Sequence, residues 1–350
     1  MKLHPITAIR FIEKALLLAS IVIFPMLSSC SNQARLSDQK SLFQLLQQDE
    51  VLDLTIQSDW KALLKERTNE ETQAATVMWT MSDGTTHQME AKVSLRGHMR
   101  RNYCDMPPIK LKFDEEVLEA AGLNPAFASL KLVTQCMADN DDITLREYLS
   151  YKIWNELSDK GFQVQLANIR YQTNKGKAYD TSFGFLIENT DEMAARLNGQ
   201  VLEGAAMQHQ TVHAEQYQLM TVFQYMIGNT DWSIKNGHNV KILQIAGANA
   251  PVPVPYDFDY AGLVDAPYAI PPSILPIKNV RERYFQWRGK DTDGLQETLR
   301  YFKTKKEKVL AIVQNCKLLD KGSRKDMIQY LESFYEKIDA LPTQIPSKRV

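Results

Sequence analysis

The sequence has almost no net charge: 41 lysines and arginines stand against 42 aspartates and glutamates, for a formal charge of −1. A nucleic-acid partner calls for a basic surplus, so none is expected. After residue 30 there is no apolar run long enough to cross a bilayer. There is no internal repeat, no low-complexity tract, and no G-x-S-x-G, the strand-to-helix elbow of many serine hydrolases. Cysteine is scarce, four in all, and the spacing fits no zinc site. His209 and His213 stand four apart, as on one face of a zinc-binding helix. With no glutamate base beside them and no third ligand, they read as structural or surface residues.

The composition that is present is ordinary. Hydrophobic residues make up 44% of the chain, enough for a full core without staples. The N-terminus stands apart from the rest. Lys2, Arg10 and Lys14 precede a short apolar stretch, Ala15 to Phe24, that is interrupted at Pro25 and ends in Leu27-Ser28-Ser29-Cys30. That order reads as a lipoprotein signal peptide over 1–29, with Cys30 as the lipidated first residue of the mature chain. Ser31 in place of an aspartate favours the outer membrane of a Gram-negative envelope. Several acyl chains would hold the protein firmly, since one alone holds only marginally. About 320 residues then remain, one large domain or two small ones.

Cys104, Cys136 and Cys316 would sit in an oxidising compartment. Cys104 precedes one apparent strand and Cys136 follows the next. A Cys104–Cys136 disulfide is therefore expected, against the alternative of two independent buried thiols.

Residues 30–48 read as a polar tether. Val51 to Ile56 alternates like a strand, and Asp59 caps a short helix through Lys65. Two stretches flanking Ser82-Asp83-Gly84 read as a hairpin, as do two flanking Asn174-Lys175-Gly176. Ile109–Phe113 and Leu130–Val133 are further strands. Leu145, Leu149, Ile153 and Leu157 form one stripe of a helix. Beyond residue 190 the pattern is mostly helical, at 213–227, 295–313 and 325–338, around short strands at 240–243 and 252–256. The fold class is α+β: a sheet-rich lobe over 49–190 and a helical lobe over 191–350, with a cleft between them.

The chemistry concentrates in the second half. Asp231 is followed five residues later by Asn236, the spacing of a kinase catalytic loop. There an aspartate takes the proton of the attacking hydroxyl and an asparagine reaches the metal on the phosphates. After two short strands comes Tyr256-Asp257-Phe258-Asp259, in the place of the metal-holding D-F-G. The bland readings are a turn-forming Asp231 and a solvated Asp257; the order of the pieces favours the kinase-like one.

Five segments in order resemble the spore-coat-protein-H-type kinase family, an atypical branch of the kinase-like fold. They are Leu95-Arg96-Gly97, Ile109–Phe113, Asp142–Arg146, the hairpin end Tyr179 to Glu188 with Gly184-Phe185-Leu186-Ile187-Glu188, and Asn229 to Asn236 followed by Tyr256 to Asp259. The resemblance covers most of residues 90–265. It departs from the family at Pro107-Pro108, where a lysine pair is usual, and at His98-Met99-Arg100-Arg101, where small polar residues are usual. It implies a two-lobed protein-kinase-like fold with Asp231 as base, Asn236 and Asp257 as metal ligands, and Asp259 as an extra ligand. Either Lys110 or Lys131 would hold phosphate, Glu188 would lie near the adenine, and Arg96, Arg100 and Arg101 would form a basic loop. The cofactors implied are ATP with magnesium or manganese.

Two functions remain open at this point. One is phosphoryl transfer to the hydroxyl of an envelope protein, with nucleotidyl transfer by the same site as a lesser variant. The other is a non-catalytic envelope module that binds a partner, favoured by the scarcity of ATP outside the cytoplasm.

Overall fold

The computed structural model describes residues 39–344, apart from 66, 68–70, 98, 138–139 and 205–206. The signal-peptide reading and Cys30 lie outside the described residues.

In chain order the elements are α1 (Leu42–Leu46), β1 (Leu52–Ser58), α2 (Trp60–Lys65), β2 (Thr72–Thr80), β3 (Thr86–Leu95), α3 (Met99–Tyr103) and β4 (Ile109–Phe113). Next come α4 (Glu115–Ala120), β5 (Ser129–Val133), α5 (Asp142–Leu157), β6 (Val164–Thr173), β7 (Ala178–Ile187), α6 (Thr190–Arg196) and β8 (Gly199–Val201). The chain continues through α7 (Ala214–Ile227), β9 (Val240–Ile245), β10 (Val252–Pro255), α8 (Thr292–Gln314) and α9 (Lys321–Lys337).

The mixed α+β character holds, but the first sheet is not open. Seven strands close into a barrel in the order β1-β2-β3-β4-β5-β7-β6, shut by the parallel pairing of β1 with β6. Strict alternation drives it. In β1, Leu52, Leu54 and Ile56 point inward while the residues between them are partly exposed. In β4, Ile109, Leu111 and Phe113 are buried between exposed Lys110 and Lys112. The inward side chains of all seven strands form one core, and closure leaves no strand edge to aggregate.

The outer face of β5, β6 and β7 is buried as well. Leu132 and Leu186 belong to the barrel interior, whereas Val133, Phe185 and Ile187 pack into the second core with α5 and the helices. That two-sided burial turns the end of β7 into a continuous apolar run. Gly184 is needed here, because a Cβ at that position would lie 2.6 Å from the Val133 carbonyl oxygen. α5 is buried almost all round. It separates the barrel from α7, α8, α9 and a small sheet ordered β10-β9-β8.

The tether expected over 30–48 stops short of its predicted end. Ser41 caps α1 in a reciprocal box with Gln44, and Leu42, Phe43 and Leu46 are buried in the barrel core. Three buried apolar residues, with Leu45 packed partly against the same core, fold the segment onto the domain.

Candidate functional site

Two loops bring the barrel to the cleft. At the end of β3 the Arg96 amide donates to the Pro108 carbonyl at 2.8 Å. Gly97 has a φ of 82° and turns the chain toward α3, which carries Arg100. That short helix is fastened just behind Arg100. The Cys104 amide donates to the Arg100 carbonyl at 2.9 Å, and the Asp105 amide to the Cys136 carbonyl at 2.8 Å. Cys104 and Cys136 are joined by a disulfide, with their Cα atoms 4.4 Å apart, and both are fully buried. Replacing both with serine removes a crosslink across 32 residues. We expect a loss of about 3–4 kcal/mol from urea unfolding, with a weaker hold on any ligand of Arg100. Unchanged unfolding would refute the crosslink.

Between barrel and helices lies a cavity of about 230 Å3. One wall is apolar, made by Val133, Phe162, Ile187 and Tyr256. The other is charged, with Arg96, Arg100, Lys131 and Lys241 around the carboxylates of Glu147 and Asp257. Lys131 lies on the outer face of β5 and its Nζ donates to Thr190 Oγ1 at 2.9 Å. Burial, then the nearby Arg96, Lys241 and Lys110, bring its pKa down to about 8. With four cations against two carboxylates in the wall, the cavity keeps a positive surplus that suits an anion.

Arg100 is central to the charge pattern. It is 7% exposed and bonds Glu147 Oε2 through Nη1 at 2.9 Å, with Asp259 Oδ2 at 3.9 Å. Its Nε and Nη2 are buried and have no hydrogen-bond partner. Burial works against the guanidinium charge, but Glu147, Tyr268, Asp259 and Asp257 outweigh it and raise the pKa. Glu147 is fully buried on α5. Desolvation lifts its pKa, against the pull of Arg100 and with the help of Asp257.

The Tyr256–Asp259 segment distributes its side chains alternately. Asp257 lines the cavity with a φ of 61°, a backbone state costly for a residue other than glycine and concentrated at functional sites. Its amide donates to the Tyr151 hydroxyl at 2.8 Å. Phe258 is fully buried against Tyr151 and Phe223. Asp259 is turned inward: it is 5% exposed and accepts from Tyr268 at 3.2 Å. Desolvation and then Asp257 raise its pKa well above the carboxylate range. Asp259, expected as an extra metal ligand, is here placed against Tyr268 and Arg100.

The catalytic-type loop also differs from the spacing argument. Gly228 ends α7 with a φ of 69°, and the Asn229 side chain then accepts from the Asp231 amide at 2.9 Å. Ser233 and His238 pair across a tight turn, which leaves Asn236 exposed at its tip. The asparagine that reaches Asp231 is Asn239, 7% exposed, whose Nδ2 donates to the Asp231 carbonyl at 2.8 Å and to Oδ2 at 3.1 Å. His238 Nε2 lies 2.9 Å from Asp231 Oδ1. Asn236 is thereby replaced by Asn239 in this arrangement, because the turn holds three more residues than the motif allows for. The Tyr256 amide donates to the Asn239 carbonyl at 3.0 Å, which sets the two segments side by side.

The remaining sequence candidates separate. Lys110 pairs with Lys131 across β4 and β5 but is exposed, outside the cavity wall. The Glu188 carboxylate is buried and spent on Arg196 at 2.7 and 2.8 Å and on the Gln163 amide at 3.0 Å. Lys241, Glu147, Tyr151, Thr190 and Asn239 were not found from the sequence. Only Asn239 carried a signal there, an asparagine directly before a strand.

A divalent cation fits these residues in a limited way. Among the described residues no group of three histidine, cysteine or acidic side chains is arranged to hold a metal ion. Asp257 faces the cavity; Asn239 lies behind its wall and keeps its Oδ1 as an acceptor while Nδ2 is spent on Asp231. One carboxylate and one amide suit an ion that takes its other oxygens from phosphate and water.

No family model matches the chain, and no curated protein matches it. Among solved structures, the chain is similar to the crystal structure of a Helicobacter pylori proinflammatory kinase, CtkA, at 12% identity and a TM-score of 0.41, over 72% of this chain and 94% of that one.

Proposed function

We propose that this chain is an exported lipoprotein whose cleft binds ATP with magnesium or manganese and transfers a phosphoryl group to a protein hydroxyl. The carrying observation is the cavity itself: an apolar wall of Val133, Phe162, Ile187 and Tyr256 against Arg96, Lys131, Lys241 and the two unpartnered nitrogens of Arg100. The base would lie between Val133, Ile187, Phe162 and Tyr256. The phosphates would meet the four cations. Asp257 and Asn239 would hold the metal, which when bound neutralises the phosphate oxygens. Asp231, oriented by Asn239 and His238, takes the proton of the acceptor hydroxyl.

One observation favours the second reading, a non-catalytic envelope module. The lysine–glutamate pair on which kinases depend is not made here, since Glu147 is held by Arg100 and Lys131 by Thr190.

Titration of ATP against pH tests the assignment of Lys131. Its pKa is lowered to about 8, so it is charged below that value and neutral above. ATP affinity should fall as pH rises through about 8, by up to about tenfold per unit, and bound phosphate shifts the window upward. Lys131→Met should bind weakly and without that slope. An affinity that stays flat across the window would remove Lys131 from the site. The anchor is tested separately: labelled palmitate should enter the wild type and not Cys30→Ala, and label in the variant would refute it.

A further inference from the structure

A second chamber, of about 420 Å3, opens beside the loop that carries Asp231. Trp232, Ser233, Ile234 and Lys235 form one wall, and Gln286 and Arg288 form the facing one, with Tyr217 between. The walls are tied together next to Asp231, because Gln286 Nε2 donates to the Thr230 carbonyl at 3.2 Å. We infer that this chamber takes an acidic polypeptide segment, as the acceptor side of the neighbouring site; its role as acceptor rests on the phosphoryl-transfer reading, its binding does not.

Charge sets the sign. Lys235 and Arg288 are exposed, neither is held in an ion pair among the described residues, and no carboxylate lines the chamber. Both side chains are therefore open to carboxylates arriving from outside. Polarity sets the polymer. Glutamine amides at 208 and 286 offer both donor and acceptor to a peptide backbone. Trp232 in the chamber wall directly follows Asp231 in the chain, which sets the chamber beside the loop that carries the base.

Anisotropy of dye-labelled serine peptides, flanked by glutamates, alanines or lysines, tests this on the mature protein. The glutamate peptide should bind at least about tenfold more tightly than the alanine peptide at low salt, and the advantage should shrink as salt is added. The double variant Lys235→Glu, Arg288→Glu should reverse the order in favour of the lysine peptide. Its thermal unfolding should match the wild type, because both side chains are exposed. Indifference to peptide charge, or to the charge reversal, overturns the inference even if phosphoryl transfer is seen. So does an oligogalacturonate that binds where the acidic peptide does not. Charge-dependent peptide binding without transfer from ATP upholds the chamber and refutes the kinase reading alone.

Discussion

Arg100→Met should destabilise the protein by about 3–5 kcal/mol at neutral pH, the loss that follows when one member of a buried ion pair is removed. The guanidinium sits among Glu147, Asp259 and Asp257. Without it, the buried Glu147 and Asp259 face each other, with Asp257 at the cavity wall beside them. The sign of the pH dependence follows. Glu147 and Asp259 already have raised pKa values from burial, and losing Arg100 lifts them further. A carboxyl whose folded pKa is raised binds extra protons in the folded state, so its penalty is absent below the ordinary carboxylate range and grows as pH rises through the shifted value. The variant should therefore recover toward wild-type stability on acidification. Adding Glu147→Leu should restore part of the loss at neutral pH, since an apolar pair is tolerated where a lone charge is not. Urea midpoints across the pH range measure both effects. A variant as stable as the wild type at pH 7 would show that Arg100 does not hold the acids together.

Asp231→Asn should reduce phosphoryl transfer by roughly 10²–10⁴-fold, the range for loss of a general base, and leave ATP affinity unchanged. The separation follows from position: the Asp231 carboxylate is bonded by His238 and Asn239 and is outside the cavity wall. Asp257→Asn should do the reverse of sparing binding. It removes the carboxylate that faces the cavity, so metal-dependent affinity should go, while asparagine tolerates the positive φ better than alanine would. It also removes one of three repelling acids, so the ligand-free variant should unfold slightly later than the wild type. Equal losses of binding in both variants would contradict the division of labour, as would unchanged transfer in Asp231→Asn.

Much of the fold could be read from alternation alone. Residues 109–113 and 130–133, and the two hairpins, follow directly from the period of two and the turn residues between them. Barrel closure could not be read. It depends on β1 pairing in parallel with β6, more than a hundred residues away, and nothing local in Leu52–Ser58 distinguishes that partner from another. α1 was missed because its few apolar residues gain stability only from the barrel they pack against.

Chain order singled out Asp231 and Asp257; the fold puts Asp257 in the cavity wall and Asp231 outside it, bonded to His238 and Asn239. The site was not legible where side-chain direction decides. Asp257 and Asp259 differ only by the strained backbone at Asp257, which sends one into the cleft and the other into the protein. Asn236 matched a fixed spacing, yet a longer turn hands its place to Asn239. Lys110 and Lys131 are cross-strand partners on one face, and only the packing of α6 against β5, through Thr190, brings Lys131 alone into the cavity wall.

Thermal unfolding of the mature protein with ATP, with and without magnesium or manganese, tests the central claim most directly. A ligand at a hundred times its dissociation constant adds about 2.7 kcal/mol, which at roughly 2–4 °C per kcal/mol raises the midpoint by roughly 5–10 °C. The wild type should show that rise only with the metal present, and Asp257→Asn should not show it. A folded wild-type protein whose midpoint moves with no nucleotide, under either metal, would contradict nucleotide binding and leave the cleft to another ligand.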